Sequence, residues 1–242
     1  MKASASDQRK ILDIASIDQR TTALNHKSAT LAEHALLASA TTKSNNTRDL
    51  RIGAQTELSD VKRELLRAEA DVEQIVMRIN RDESRLNSGS ATPKELEQLQ
   101  HEVGTLGARR AELEEVELEV MMRIDEINSR IAELSELEAT YSAEISDLEV
   151  RKENALATFN TELESLVILR AQTAESISAE FMALYEKIRA SNNGTGAASL
   201  TGGSCNGCHL SINAIELKRI TDLAEDEVVR CEECRCILVR GV

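Results

Sequence analysis

From Leu58 onward the apolar residues of this chain step by three and four positions without a miss: Leu58, Val61, Leu65, Ala68, Val72, Ile75 and Ile79. An interval averaging about 3.5 residues lines one face of an α-helix and calls for a second helix against it. A second stripe follows, through Leu96, Leu99, Val103, Leu106, Leu113, Val120, Ile124, Ile127, Ile131, Leu134, Leu137, Tyr141, Ile145 and Leu148. Between the stripes lies Asn87-Ser88-Gly89-Ser90-Ala91-Thr92-Pro93, rich in turn formers and holding the only proline. Thr92, Pro93 and Glu95 supply an N-cap, a first-turn proline and a capping-box acid, so the second helix starts at Pro93. Two apolar stripes joined by so short a break predict a long antiparallel coiled-coil hairpin over residues 1–190, with its tip near 87–93.

Composition agrees. The 242 residues include no Trp, two Phe and two Tyr, too few large side chains for a wide globular core and suited to a narrow helical seam. At about 1.5 Å of rise per residue, a first arm of roughly 80 residues would be a rod on the order of 120 Å long. That arm weakens over Thr41-Thr42-Lys43-Ser44-Asn45-Asn46-Thr47 and at Gly53, which predicts a kink or restart near 41–47. Arg110, Glu117 and Lys152 fall on seam positions and read as snorkelling side chains or local register shifts. The second helix is expected to run to about Ala190, placing the C-terminal segment and the N-terminus at the same end of the hairpin.

A net charge of −13 repels phosphate backbones and anionic lipid at long range. No run of apolar residues is long enough for a membrane span, and Met1–Lys10 lacks the apolar centre of a signal peptide, so a cytoplasmic protein is expected. In that reducing compartment five cysteines confined to 205–242 read as metal ligands rather than disulfides.

Ser191-Asn192-Asn193-Gly194-Thr195-Gly196 ends the helical region with residues that tolerate left-handed backbone, and a small domain over 191–242 begins there. Ala197–Thr201 and Ile237–Val239 read as short strands, and Asn213 as the cap of a short helix carrying Ile215, Leu217, Ile220 and Leu223. Cys205, Cys208, Cys231 and Cys234 form two Cys-x-x-Cys turns, each able to present two thiolates about 2.3 Å from one tetrahedral ion. The fold class is therefore mainly α, a helical hairpin followed by a four-cysteine zinc ribbon with one structural Zn2+ per chain. A thiol oxidoreductase would need a single such pair in a βαβ setting, which is absent. Cys236 is read as a plain strand residue, the alternatives being substitution for Cys234 as a ligand or a redox-sensitive spare. His209 is expected at the surface or beside a thiolate, and His26, His34 and His101 face solvent or flank the seam.

Cys205-Asn206-Gly207-Cys208-His209-Leu210, then Glu227-Val228-Val229-Arg230-Cys231-Glu232-Glu233-Cys234 and Ile237-Leu238-Val239-Arg240, resemble the bacterial C4-type zinc-ribbon family. Thr92-Pro93-Lys94-Glu95-Leu96 with Leu99-Gln100-His101-Glu102 is similar to that family's hairpin tip. The resemblance implies a coiled-coil hairpin plus ribbon, no enzymatic activity, a nucleic-acid-binding role, and in some members an adaptor role toward transcription or secretion machinery. The chain departs from the family at Arg235 and Cys236, where Gly and then Arg are usual.

The favoured reading is a non-enzymatic adaptor for a protein partner, since a long acidic hairpin offers helix faces and the ribbon a rigid platform. A nucleic-acid-binding ribbon, with Arg230, Arg235 and Arg240 along one edge, is the alternative, but from His209 onward Lys218, Arg219, Arg230, Arg235 and Arg240 are outnumbered by Glu216, Asp222, Glu225, Asp226, Glu227, Glu232 and Glu233, with no aromatic side chain except His209. A third reading, resemblance to RNA-polymerase secondary-channel factors, rests on Asp82 and Glu83 near the tip. No Ser-His-acid set, catalytic carboxylate pair or phosphate loop is recognisable.

Overall fold

The computed structural model describes residues 1–89 and 91–241; Ser90 of the expected tip and Val242 of the C-terminal segment lie outside the described residues. The chain divides into two compact units, residues 35–149, and residues 1–34 together with 150–242. Its elements are α1 (Ala5–Ala29), α2 (Ala32–Asn87), α3 (Pro93–Glu175), α4 (Ala179–Ser191), β1 (Ala197–Thr201), β2 (Ser204–Cys205), α5 (Ala214–Asp222), β3 (Val229–Arg230) and β4 (Ile237–Val239). The chain is thus mostly helical, a long helical hairpin with a small C-terminal strand region.

In the 35–149 unit, α2 and α3 pack along the expected seam: Ala54, Val61, Val120 and Ile127 are buried, flanked by Leu58, Leu65, Ile124, Ile131 and Leu134. Ion pairs fix the direction. Arg51 meets Glu138 at 2.7 Å and Arg123 meets Glu64 at 2.8 Å, with Arg130–Glu57 and Arg78–Glu102 along the same line. Partner numbers climb on one helix as they fall on the other, which is the antiparallel arrangement.

Helical structure continues unbroken through residues 41–47, contrary to the expected restart. Ala40, Thr47 and Ala54 are buried there, so weak helix formers persist because small side chains let the facing helix approach. Thr42 donates its hydroxyl to the Ala38 carbonyl, and Lys43 lies 6.0 Å from the ring centre of Tyr141. Leu137 is 41% exposed, and Glu138 takes the inward slot against Arg51 instead. Arg110 points outward to Glu114, as a snorkelling side chain does.

At the tip Gly89 takes φ +67, and the capping box closes as the residues indicate. The Thr92 amide donates to Glu95 Oε2 at 2.8 Å, and the Glu95 amide donates to Thr92 Oγ1 at 3.4 Å. Asp82 sits on the seam face of α2, 5% exposed, and its Oδ2 has no hydrogen-bond partner. A buried oxygen that forfeits water without replacement costs about 1–3 kcal/mol. Asp82→Leu should therefore raise the unfolding free energy of the hairpin by roughly that amount. Denaturant titration checks this, and a loss of stability would show that the carboxylate is partnered in solution.

In the unit formed by 1–34 and 150–242, α1 packs on α3 through Ile17, Leu24 and Leu166, with Phe159 and Leu163 alongside. Arg20–Glu162 and Arg151–Glu33, each at 3.0 Å, again run in opposite directions. The first arm breaks at Thr30 and Leu31, where Thr30 caps α1 by donating to the His26 carbonyl. The ring of His34 reaches the Ser28 carbonyl across the same break. The second arm, expected to reach Ala190, stops at Glu175; Ile177 in the break turns into the core, and a separate helix α4 starts at Ala179.

That core joins Ile11 and Ile14 of α1, Phe181, Tyr185 and Ile188 of α4, and Ala197, Ile237 and Val239 of the strands. Two of the four aromatic side chains are spent here. Asn193 and Gly194 adopt left-handed backbone at the turn out of α4, as the residue types indicate. At Gly196 a Cβ would come within 2.3 Å of the Tyr185 ring, so only glycine fits.

The strands form one sheet in the order β2-β1-β4-β3, with β1 parallel to β4 and the outer pairs antiparallel. The N-terminal segment straps onto it: Ala3 donates its amide to the Asp226 carbonyl, Val228 donates to the Met1 carbonyl, and Lys2 pairs with Asp226 at 2.9 Å. The N-terminus and the C-terminal strands therefore share one end of this unit, as expected. Asn213 caps α5 by accepting from the Glu216 amide. Ile215 is 86% exposed rather than inward; Ile220 and the partly buried Leu223 fill the face instead.

Candidate metal centre

Two backbone turns of the same design present the cysteines. Cys205 ends β2, and its carbonyl accepts from the His209 amide at 2.7 Å. Cys231 follows β3, and its carbonyl accepts from the Arg235 amide at 3.0 Å. Each closing residue lies four positions past the first cysteine and adopts left-handed backbone, φ 60 at His209 and φ 64 at Arg235. An L-residue there costs roughly 1–2 kcal/mol, which explains why glycine suits position 235. Arg235→Gly keeps the carbonyl that accepts from Arg230 Nε. It should stabilise the strand region by about 1 kcal/mol, read as a higher midpoint of its thermal unfolding. A lower midpoint would show that the arginine side chain outweighs the backbone strain.

The Sγ atoms of Cys205, Cys208, Cys231 and Cys234 all lie within 4.8 Å of one another. Four sulfurs around an ion at about 2.3 Å stand about 3.8 Å apart at tetrahedral corners. Cys205–Cys234 is 3.8 Å and Cys208–Cys231 is 3.9 Å, so these residues fit a metal ion that prefers sulfur. Cys205 and Cys231 are buried, Cys208 and Cys234 half-buried. Without a cation, burial pushes the Cys234 thiol up to about 12, and burial also raises Cys236. A divalent ion reverses this by stabilising thiolates outright.

Cys236 stands outside the four-sulfur set, in keeping with an unliganded residue, but just before β4 rather than within it. It precedes β4, is fully buried, and places its Sγ 3.2 Å from Cys234 and 3.6 Å from Cys205, beside the four-sulfur set rather than within it. Gly207, inside the first turn, makes room for it: a Cβ there would stand 3.3 Å from Cys236 Sγ. His209, His26, His34 and His101 are exposed.

Among the basic residues, Arg240 is committed internally. Its guanidinium donates to the carbonyls of Ile220, Leu223, Ala224 and Glu227 at 2.6–3.0 Å, capping the end of α5. Sequence reasoning missed this role, as it missed Asp18. That carboxylate is buried beneath α4 and held by Arg170 at 2.6 and 3.1 Å and by the Tyr185 hydroxyl at 2.7 Å. No local signal marks either residue, because their partners lie far along the chain.

A helical hairpin followed by strands that gather four cysteines defines a class of coiled-coil protein with a thiol cluster in its C-terminal segment. The sequence pattern of the CT398-like coiled coil hairpin domain matches residues 14–193, and the chain belongs to that family. The match stops short of the cysteines. An uncharacterised protein of Mycobacterium tuberculosis is 32% identical over 240 residues, covering 99% of this chain and 98% of the relative. One of Mycobacterium leprae is 30% identical over 193 residues, covering 78% and 81%. A solved Mycobacterium smegmatis protein superimposes with a TM-score of 0.86 at 30% identity, over 99% of this chain and 100% of the other. CT398 of Chlamydia trachomatis does so with a TM-score of 0.68 at 20% identity over 98% of each chain, which shows a shared fold.

Proposed function

We propose that the chain is a non-enzymatic, cytoplasmic adaptor: a zinc ribbon, in which Cys205, Cys208, Cys231 and Cys234 hold one structural Zn2+, carried on a coiled-coil hairpin that binds a protein partner. A shell closed by four thiolates leaves no position for substrate, which supports a structural rather than a catalytic ion. Among the described residues no helix is long and apolar enough to cross a membrane.

The observation that carries the adaptor reading is apolar surface on the 35–149 unit away from its seam. Leu118, Met121 and Met122 lie within one turn of α3 and are all exposed, as are Leu66 and Met77 on α2. Flexible methionines and leucine on an otherwise acidic helix suit a protein partner and repel phosphate. Of the three arginines that could line a nucleic-acid edge, Arg240 is occupied by four carbonyls, while the exposed Arg230 and Arg235 share the ribbon with the exposed Glu232 and Glu233, which disfavours phosphate. For a secondary-channel role the tip would have to offer both Asp82 and Glu83; Glu83 is exposed, but Asp82 is turned into the seam.

The test has two arms. Zinc-loaded protein is titrated against single- and double-stranded DNA and RNA between about 50 and 200 mM salt, and a photo-crosslinking residue is placed at Met122 in cells. The expected result is no saturable nucleic-acid binding, and one discrete protein adduct that Leu118→Glu abolishes without changing helicity or metal content. Micromolar binding that weakens steeply with salt would overturn the reading in favour of nucleic acid.

A further inference from the structure

Cys236 has no place in a four-sulfur shell, yet its thiol is fully buried against two of the shell's sulfurs, 3.2 Å from Cys234 and 3.6 Å from Cys205. The left-handed turn at Arg235 lets residues two apart bring their sulfurs together, and Gly207 packs so near that a Cβ there would stand 3.3 Å from Cys236 Sγ. Of the two neighbours, Cys205 is as inaccessible as Cys236, whereas Cys234 is half-buried and open to a small oxidant.

We propose that Cys234 and Cys236 form a redox-active pair, in which hydrogen peroxide drives a disulfide that releases the metal and a thiol reductant restores it. The proposal rests on reading the cluster as a metal site. In the first step the Cys234 thiolate attacks one peroxide oxygen and the O–O bond breaks. Cys234 becomes a sulfenic acid, and the other oxygen leaves as hydroxide, which solvent protonates. In the second step the sulfur of Cys236 attacks that of Cys234, the S–S bond forms, and the displaced hydroxide leaves as water with the Cys236 proton. The two sulfurs have together given two electrons to peroxide. Cys234 is then no longer a thiolate donor, and three ligands remain where a closed structural site needs four. A dithiol returns the pair to its reduced form by exchange. The adjacent Cys236 also intercepts the sulfenic acid before it climbs to the irreversible sulfinic state.

The test compares the full chain with Cys236→Ala, both purified with zinc under reducing conditions. Metal content comes first. One ion per chain in both leaves the four-cysteine assignment standing; an absence of metal from the unaltered chain removes the metal reading itself. Peroxide is then titrated while a chromophoric chelator reports released zinc and intact mass with peptide mapping reports the thiols. The unaltered chain is expected to lose zinc as it loses two hydrogens, with Cys234 and Cys236 joined, and to rebind the full complement after dithiothreitol. Cys236→Ala is expected to gain oxygen at Cys234 and to recover roughly tenfold less metal. Equal recovery by both proteins, or a disulfide in the unaltered chain that omits Cys236, overturns the proposal.

Discussion

Cys208→Ser, or chelation of zinc from the loaded chain, is expected to strip amide-exchange protection from β1, β2, β3 and β4 while leaving the 35–149 segment of the hairpin protected. The reason lies in what fills the small core under the sheet. Its buried members are Ala198, Cys205, Ile220, Val229, Cys231, Cys236 and Leu238, so three of seven are cysteines. Without a cation that core is short of hydrocarbon and holds thiols in place of branched side chains. Structural zinc contributes an apparent 10–16 kcal/mol, about as much as a whole small domain's net stability. The loss should therefore be all-or-none for the strands rather than a shift of a few degrees. Because the ligands must shed protons, zinc affinity should also fall with falling pH. Strands that stay protected in excess chelator would show that the sheet folds on its contacts with α1 and α4 alone, and the zinc assignment would lose its main support.

Arg170→Ala is expected to cost about 3–5 kcal/mol, the second-largest effect, measured as unfolding free energy at neutral pH. Asp18 is 5% exposed and depends on Arg170 for two hydrogen bonds, on Tyr185 for a third and on Arg189 at 3.5 Å for further charge. Burial by itself raises the carboxyl's pKa. The hydrogen bonds from Arg170 and Tyr185 and the two guanidinium charges more than reverse this and leave it below the usual carboxylate range. Removing Arg170 strands a buried negative charge, and Arg189 moderates the loss without replacing the bidentate contact. The same network sets a pH dependence. Since the folded pKa is depressed, its stabilisation is complete above the unfolded carboxylate value of about 4 and disappears as pH falls through the lower folded value. Asp18→Asn should remove that part of the acid slope, and comparing the variant with the unaltered chain separates it from acid loss of zinc. A change under about 1 kcal/mol on Arg170→Ala would mean that water already serves Asp18.

The Asp18–Arg170 ion pair and the cluster differ in how much of each could be read before folding. The four cysteines announce themselves by spacing, because two thiolates on one tight turn are a property of four consecutive residues. The hairpin seam and the capping box at Thr92 and Glu95 are equally local. The breaks are not. Weak helix propensity at 41–47 pointed to a kink or restart, yet the helix does not restart there, and Ala40, Thr47 and Ala54 are buried along it. The actual interruptions, at Thr30–Leu31 and at Ser176–Ser178, fall where Thr30 and His34 cap freed carbonyls and Ile177 must enter a core shared with α1 and the strands.

Sequence by itself thus determined the helical hairpin, its direction and tip, the four clustered thiols and the capped helix between them. Each is written in periodicity or spacing over a few turns of chain. Only the tertiary structure decided that Cys236 lies beside the cluster, that Arg240 caps α5, that Asp18 is buried against Arg170 and that Asp82 is left without a partner. Those outcomes depend on register between segments far apart in the chain, where a shift of one residue changes every neighbour and no local pattern records the choice.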